Sequence, residues 1–246
     1  MVATRKDRKT ERYYRKREHV VDVAVELFSK NGYAGTGVAD IGDAAGLARG
    51  ALYYYIDSKQ ALLAKIHDRV MDPLLKETAA IVDLEVSFPA RLRLLSESLL
   101  WQIINRQDHV WVFLHEYRQL EGEYLTLFRD KRHRFESNIM FVLADGQRQG
   151  SLRVRDLELT TLAFLNLHNY TYQWVGTRNR MSVEELSRFY CEIFFNGILT
   201  DNADLDATET EMTHGRTVLH DLREAAADES PIPEISQDEA ETVTAE

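Results

Sequence analysis

One cysteine, Cys191, stands in the whole chain, which excludes an internal disulfide and a zinc site built from cysteines. No segment approaches the roughly 18 apolar residues that a membrane span needs. The N-terminus is basic and polar, with no apolar run behind it, so it does not read as a secretory signal. A reducing cytoplasm is the expected location. The eight histidines show no His-x-x-x-His spacing, no Gly-rich phosphate loop follows a strand, and no Ser/His/Asp or Cys/His set stands out. No enzyme activity, metal or cofactor is therefore expected. Pro and Gly are scarce, at four and twelve residues, and strand-like alternation is hard to find.

What is present is helical periodicity and a lopsided charge. A chain of 246 residues is long enough for one or two domains with a packed core. The net charge is −10. From Asp201 onward there are fourteen acids and two arginines, a net of −12, so the first 200 residues sum to about +2. Residues 1–18 carry eight Lys/Arg against three acids. A basic head, a near-neutral body and an acidic tail suit local phosphate binding by the head alone.

Apolar residues recur at three and four, which predicts an all-α chain of about nine helices. The first runs from about Glu11 to Lys30, with Val20, Ala24, Leu27 and Phe28 on one face, and Asn31-Gly32 stops it. Short helices follow over Val38–Ala45 and Arg49–Ile56. Asp57 or Ser58 caps a fourth from Lys59 to about Val82, with a kink or restart expected at Pro73. The body continues with Pro89–Arg106, His109–Leu120, Gly122–Arg148, Asp156–Val175 and Ser182–Leu199. Ser182 and Glu185 form a capping box for the last. Residues 200–246 read as an acidic, mostly disordered tail, with room for a short helix near Thr217–Ala227.

The informative stretch is Val38 to Ile56. Val38, Ile41, Ala45, Leu47 and Leu52 form a small apolar knot between two short helices. Ala44-Ala45 allows close approach, and Gly46 supplies the positive φ of the turn. Arg49 opens the second helix, where a long cation reaches a guanine edge or a phosphate. Gly50 and Ala51 let the helix axis approach the bases. Tyr53, Tyr54 and Tyr55 carry hydroxyls suited to phosphate oxygens. Lys59 adds a cation and a backbone N–H.

Residues 20–66 resemble the DNA-binding domain of the TetR family of bacterial transcriptional repressors: LFSKNGY, then VADIGDAAG, GALYYYI and SKQALL. The helical layout extends the likeness to about residue 199. Together with the charge distribution, which sets off a basic N-terminal arm (1–18) and the tail (200–246), the resemblance implies a helix-turn-helix domain (19–66) and a ligand-binding and dimerisation domain (67–199). It implies a homodimer, one recognition helix per half-site of an inverted repeat in double-stranded DNA, and a small-molecule effector pocket in the body. Three positions depart from the family pattern. Gly37 and Ala48 stand where Thr or Ser is usual, and Tyr55 where His is frequent. Losing each hydroxyl removes a cap worth about 1 kcal/mol and a phosphate hydrogen bond. Thr36 and the basic arm are candidates to offset this. The arm either tracks the adjacent groove or backbone, or is a solvated charged tail.

In the body, Leu186, Phe189, Tyr190, Ile193, Phe194 and Phe195 cover more than one helical face, so that helix is buried on two sides. The resemblance implies that the two closing helices form the dimer interface. Cys191 reads as a packed thiol. Candidate pocket residues are polar or aromatic groups on otherwise apolar helices: Trp101, Trp111, His115, Tyr117, Asn138, Phe141, His168, Asn169, Tyr172 and Trp174. Arg118 with Arg129, Lys131, Arg132 and Arg134 either grips a phosphate-bearing effector or forms a solvated cationic face. The layout of 109–199 is similar to the acyl-CoA-sensing subgroup, which makes a small apolar or acyl-CoA-like molecule the expected effector. An activator of the same fold, or a non-enzymatic helical protein-interaction module, are the alternatives.

Overall fold

A computed structural model describes residues 5–154, 156–178, 181–198 and 208–228, and these form helices without strands. In chain order they are α1 (Arg5–Gly35), α2 (Val38–Ala44), α3 (Arg49–Tyr53), α4 (Lys59–Asp83), α5 (Phe88–Asn105), α6 (Gln107–His115), α7 (Gly122–Arg148), α8 (Leu157–Asn169), α9 (Val175–Arg178), α10 (Val183–Ile198) and α11 (Thr208–Asp228). Short 3-10 turns, Tyr117–Gln119 and Tyr170–Gln173, follow α6 and α8.

Residues 5–18 of the basic arm are the first turns of α1 and continuous with it, while residues 1–4 lie outside the described region. The helical run breaks at Gly32 (φ +74°), at the Asn31-Gly32 stop, and one more turn follows. Ser58 caps α4 by accepting from the Ala61 N–H at 3.0 Å. The capping box of α10 forms in both directions: Ser182 N–H donates to Glu185 Oε2 (2.7 Å), and Glu185 N–H to Ser182 Oγ (3.2 Å).

Of the two outcomes expected at Pro73, a kink or a restart, the restart does not occur: α4 runs through the proline as one helix. The reason lies outside the helix. Pro73 has no N–H for the carbonyl four residues earlier, that of Arg69. The Arg106 guanidinium, at the end of α5, donates to that carbonyl at 2.6 Å. The acceptor that the proline orphans is satisfied from a neighbouring helix.

Two apolar clusters organise the chain. The head cluster gathers Val20, Ala24, Phe28, Ile41, Leu52 and Leu63 and continues into Val112, Leu120 and Phe128, so it is shared with the body. Each large apolar side chain so buried contributes about 1.5–3 kcal/mol. The body cluster surrounds α5, which is buried continuously from Phe88 to Leu100. Its charged residues survive burial because each has a partner: Arg91 with Asp145, Arg93 with Glu209, Glu97 with Arg216.

Two of those partnerships come from the acidic tail, where the sequence left room for a short helix near Thr217–Ala227 and the helix that forms is longer. Residues 208–228 form α11, packed on α5 and α4, with Met212 and Leu219 buried. Arg216 grips Glu97 with two hydrogen bonds (3.1 and 2.7 Å), and Arg223 grips Glu77 likewise (both 3.1 Å). The tail's two arginines thus neutralise two carboxylates that are almost fully buried. Residues 199–207 and 229–246 lie outside the described region.

Candidate nucleic-acid interface and effector cavity

The turn between α2 and α3 is built from two glycines. Gly46 takes φ +64°. Gly42 is buried, and a Cβ there would sit 3.1 Å from the Leu47 carbonyl and 3.5 Å from Leu52 Cδ2. The close approach therefore rests on Gly42 and the buried Ala45, and Ala44 is exposed. Leu47 N–H closes the turn onto Gly42 O at 2.8 Å. The Lys16 ammonium donates to Ala45 O at 3.3 Å, fastening α1 to the same turn.

α3 ends at Tyr53, so Tyr54 and Tyr55 sit in the turn that follows it and not in an extended helix. Leu52 is fully buried and anchors the helix. Arg49, Gly50 and Ala51 are exposed, as are Tyr53 (46%) and Tyr54 (49%). Nothing lies within 4 Å of where a Gly50 Cβ would be. Tyr55 is half-buried and stacks on Tyr13 of α1 at 5.4 Å, and Tyr13 also meets Tyr54 edge-on at 5.3 Å. This aromatic cluster is how α1 holds the α3 terminus.

Two expected phosphate contacts have hydrogen-bond partners within the protein. Thr36 is buried, and its hydroxyl donates to Gly32 O (2.9 Å) and sits 3.3 Å from Leu27 O, carbonyls left open where α1 breaks. The Lys59 ammonium donates to Tyr33 O and lies 4.0 Å over the Tyr33 ring, and burial lowers its pKa. Gly37 is exposed and caps α2 without a side chain; its own N–H donates to Asp40 Oδ2 at 2.7 Å.

In the body, a cavity of about 140 Å³ lies between α4, α5, α6, α7 and α8. Its walls are mostly aliphatic and aromatic: Val70, Met71 and Leu74 of α4, Leu99 and Ile103 of α5, Val110 and Phe113 of α6, Phe128 and Phe135 of α7, Leu165 of α8. Gln102, Tyr117, Arg132, Glu136 and Asn169 are its polar lining. Arg132 is exposed and pairs with Glu136 at 2.8 Å. Arg118 donates to the Tyr117 hydroxyl at 3.3 Å, which lowers the Tyr117 pKa.

Of the residues expected there, Tyr117, Arg132 and Asn169 line this cavity, and the others lie elsewhere. Trp101 faces α11, with the Arg223 guanidinium 4.7 Å over its ring, beside a separate cavity of about 280 Å³. Trp111 and His115 stack at 4.5 Å, and His115 Nε2 meets the Tyr172 hydroxyl at 3.0 Å, forming an outer three-ring cluster. Asn138 clips α7 to α4 by donating to Thr78 Oγ1 at 3.1 Å. Phe141 is 51% exposed. Trp174 packs against the body cluster. Arg118 is exposed, next to the lining residue Tyr117. His168 is fully buried and belongs to the core. Its Nδ1 lies 2.7 Å from the Phe164 carbonyl, which can only accept, so Nδ1 carries the proton and Nε2 accepts from Ser96 Oγ at 2.7 Å. Burial pushes its pKa down to about 4. In the cationic segment of α7, Lys131 is held by Asp68 and Asp72 (both 2.6 Å), whereas Arg129 and Arg134 are exposed.

The cavity walls connect to the head. Arg69 of α4 pairs with Glu18 and Asp22 of α1, and its Nη1 lies 3.3 Å from His109 Nε2 of α6. Glu116, just after α6, accepts from the Tyr33 N–H at 3.1 Å. Gln60 of α4 donates to Gln119 O at 2.6 Å. None of these ties was singled out from the sequence. α8 and α10 expose Leu159 (63%), Leu162 (36%), Phe189 (50%) and Ile193 (52%). Cys191 is buried and its thiol is pushed up to about 12, which leaves it unreactive. No helix among the described residues is long and apolar enough to cross a membrane.

Residues 20–66 match the family described as bacterial regulatory proteins, tetR family, and residues 85–198 match the tetracyclin repressor-like C-terminal domain. The HTH-type transcriptional repressor KstR2 of Rhodococcus jostii is 28% identical over 187 residues, 74% of this chain and 91% of that protein. The fold is similar to the TetR family regulator PfmR of Thermus thermophilus, with 25% identity, TM-score 0.66, and coverage of 72% of this chain and 97% of that one. It is also similar to AibR, solved in complex with isovaleryl coenzyme A and operator DNA, with 22% identity, TM-score 0.66, and coverage of 73% and 98%. Helix-turn-helix head, helical body and both family matches agree: the chain belongs to the TetR family of transcriptional regulators.

Proposed function

We propose that the protein is a repressor that binds an inverted-repeat operator in double-stranded DNA as a homodimer and leaves it when a small, largely apolar effector fills the 140 Å³ cavity. The DNA-binding half of this reading is carried by the exposed surface of α3, where Arg49, Gly50, Ala51, Tyr53 and Tyr54 are presented while Leu52 anchors the helix. A helix of small residues flanked by a long cation and phenols suits a major groove, with Arg49 on a base edge and the tyrosines on phosphates. Gly37 is exposed and offers a backbone contact, whereas Thr36 and Lys59 also tie the head together through carbonyls of α1.

Dimerisation is assigned to α8 and α10. Leu159 and Leu162, and Phe189 and Ile193, stand three and four residues apart, so each pair shares a helical face. The cavity is close in size to the roughly 150 Å³ apolar cavity that holds benzene, so it takes an effector end of about six to eight non-hydrogen atoms. The isovaleryl group of the coenzyme A ester bound in the AibR complex is of that size. Arg118 and Arg132, exposed at the polar end, suit the phosphates of an acyl-CoA. Filling the cavity displaces α4 and α6, and the displacement reaches α1 through Arg69 and Glu116. The heads then shift toward a spacing unsuited to adjacent major grooves.

Gly50→Glu tests the DNA half, since open space surrounds that position and the fold has room for the new side chain. The expected result is an unchanged melting temperature with operator affinity reduced at least about tenfold (about 1.4 kcal/mol) in fluorescence anisotropy. Unchanged affinity removes α3 from the interface.

A further inference from the structure

Gln102 stands out among the cavity's lining residues. It is 1% exposed, and neither its Nε2 nor its Oε1 has a hydrogen-bond partner in the protein. The other polar groups are engaged or near the surface: Arg132 pairs with Glu136, and the Tyr117 hydroxyl accepts from Arg118. Leu99 and Ile103, on the same side of α5, line the same cavity, while Gln102 also borders the 280 Å³ cavity beside α11. A buried carboxamide with both ends open is costly, and such groups are normally paired with protein, water or ligand.

Resting on the effector reading above, we infer that Gln102 selects an effector whose buried end is uncharged and carries an oxygen function that both accepts and donates, a hydroxyl above all. The chemistry of the amide separates the candidates. A plain hydrocarbon end leaves both amide atoms unpaired. A thioester or ketone carbonyl only accepts, so it pairs with Nε2 and leaves Oε1 open. A carboxylate only accepts and brings its negative charge against Oε1. A hydroxyl accepts from Nε2 and donates to Oε1. Within the acyl-CoA class, this favours a hydroxylated acyl group over a saturated one.

Phenol and toluene test this directly, because they share shape and size, fit a cavity of this volume, and differ in the hydroxyl. Calorimetric titration of the full chain should give phenol about tenfold tighter than toluene. In Gln102→Leu the order should reverse by a similar factor. That variant should fold with an unchanged or higher melting temperature, since it removes an unpaired buried amide; Gln102→Met is the second variant if it does not. The side-chain amide signals of Gln102 should shift with phenol and not with toluene. Leu165→Trp, which fills the cavity, should abolish binding of both. Equal affinities in wild type, or a ratio unchanged by Gln102→Leu, overturn the inference; loss of both ligands in Leu165→Trp then still upholds the cavity as the ligand site. Phenol binding that survives Leu165→Trp, or no binding of either probe, also overturns it.

Discussion

Arg106→Met isolates the device that keeps α4 intact across its proline. The variant retains a long apolar stem but removes the donor that reaches Arg69 O at 2.6 Å. Pro73 supplies no N–H, so that carbonyl becomes an unpaired acceptor inside a helix–helix contact. A hydrogen bond from a charged donor contributes about 1.5–3 kcal/mol, which sets the expected loss near 2 kcal/mol. For a chain of this length that corresponds to a melting temperature lower by roughly 4–8 °C. Urea denaturation at fixed protein concentration gives the free energy directly. The decisive step is the second substitution. Pro73→Ala restores a backbone N–H, and that donor satisfies Arg69 O without Arg106. In the Pro73→Ala background, Arg106→Met should therefore cost less than half as much, a coupling of about 1–2 kcal/mol. Strict additivity of the two substitutions refutes the reasoning, because it means Arg106 stabilises through something other than the proline's orphaned carbonyl.

Three further outcomes follow from named contacts. Lys59→Met should lower stability by about 1–2 kcal/mol through loss of the Tyr33 contacts, and leave the salt dependence of DNA binding unchanged; intact stability with a salt slope reduced by about one would return Lys59 to the phosphates. Leu219→Ala should cost about 2–3 kcal/mol because α11 is part of the core; a change under about 0.5 kcal/mol would mean that the tail helix is undocked. Buried His67 and His168, both lowered to about 4, are neutral in the fold. The unfolded chain protonates them near 6.5, so stability is full above that pH and falls between 6.5 and 4, by on the order of 3 kcal/mol for His168. A urea midpoint that is flat across this window contradicts their burial as neutral rings.

Much of the head was legible in the sequence because its constraints are local. Gly46 must take positive φ, Ser58 must cap, and Leu52 must anchor a helix whose neighbours are small. The contacts of Thr36 and Lys59 were not legible for the opposite reason: their partners, Gly32 O, Leu27 O and Tyr33 O, lie around the break in α1 at Gly32. The cavity was read from polar and aromatic residues, yet half of its lining is aliphatic, and an aliphatic lining has the same sequence signature as solid core. His168 and Asn138 are polar because they clip helices together. α11 did leave a signal. Met212, Arg216, Leu219 and Arg223 recur at four, three and four, one stripe holding both of the tail's arginines. Net acidity obscured its length, since the sequence suggested only a short helix near Thr217–Ala227, and the buried Glu77 and Glu97 that the arginines serve lie more than a hundred residues earlier.

The account rests on α3 reading DNA as half of a symmetric pair. Selection of bound duplexes from a random pool, followed by hydroxyl-radical footprinting, measures this most directly. The expected result is a palindrome with half-sites about one helical turn, or a multiple of it, apart. Its enrichment should be lost in Gly50→Glu while the oligomeric state persists. Enrichment of no sequence, or a palindrome bound equally well by Gly50→Glu, contradicts it.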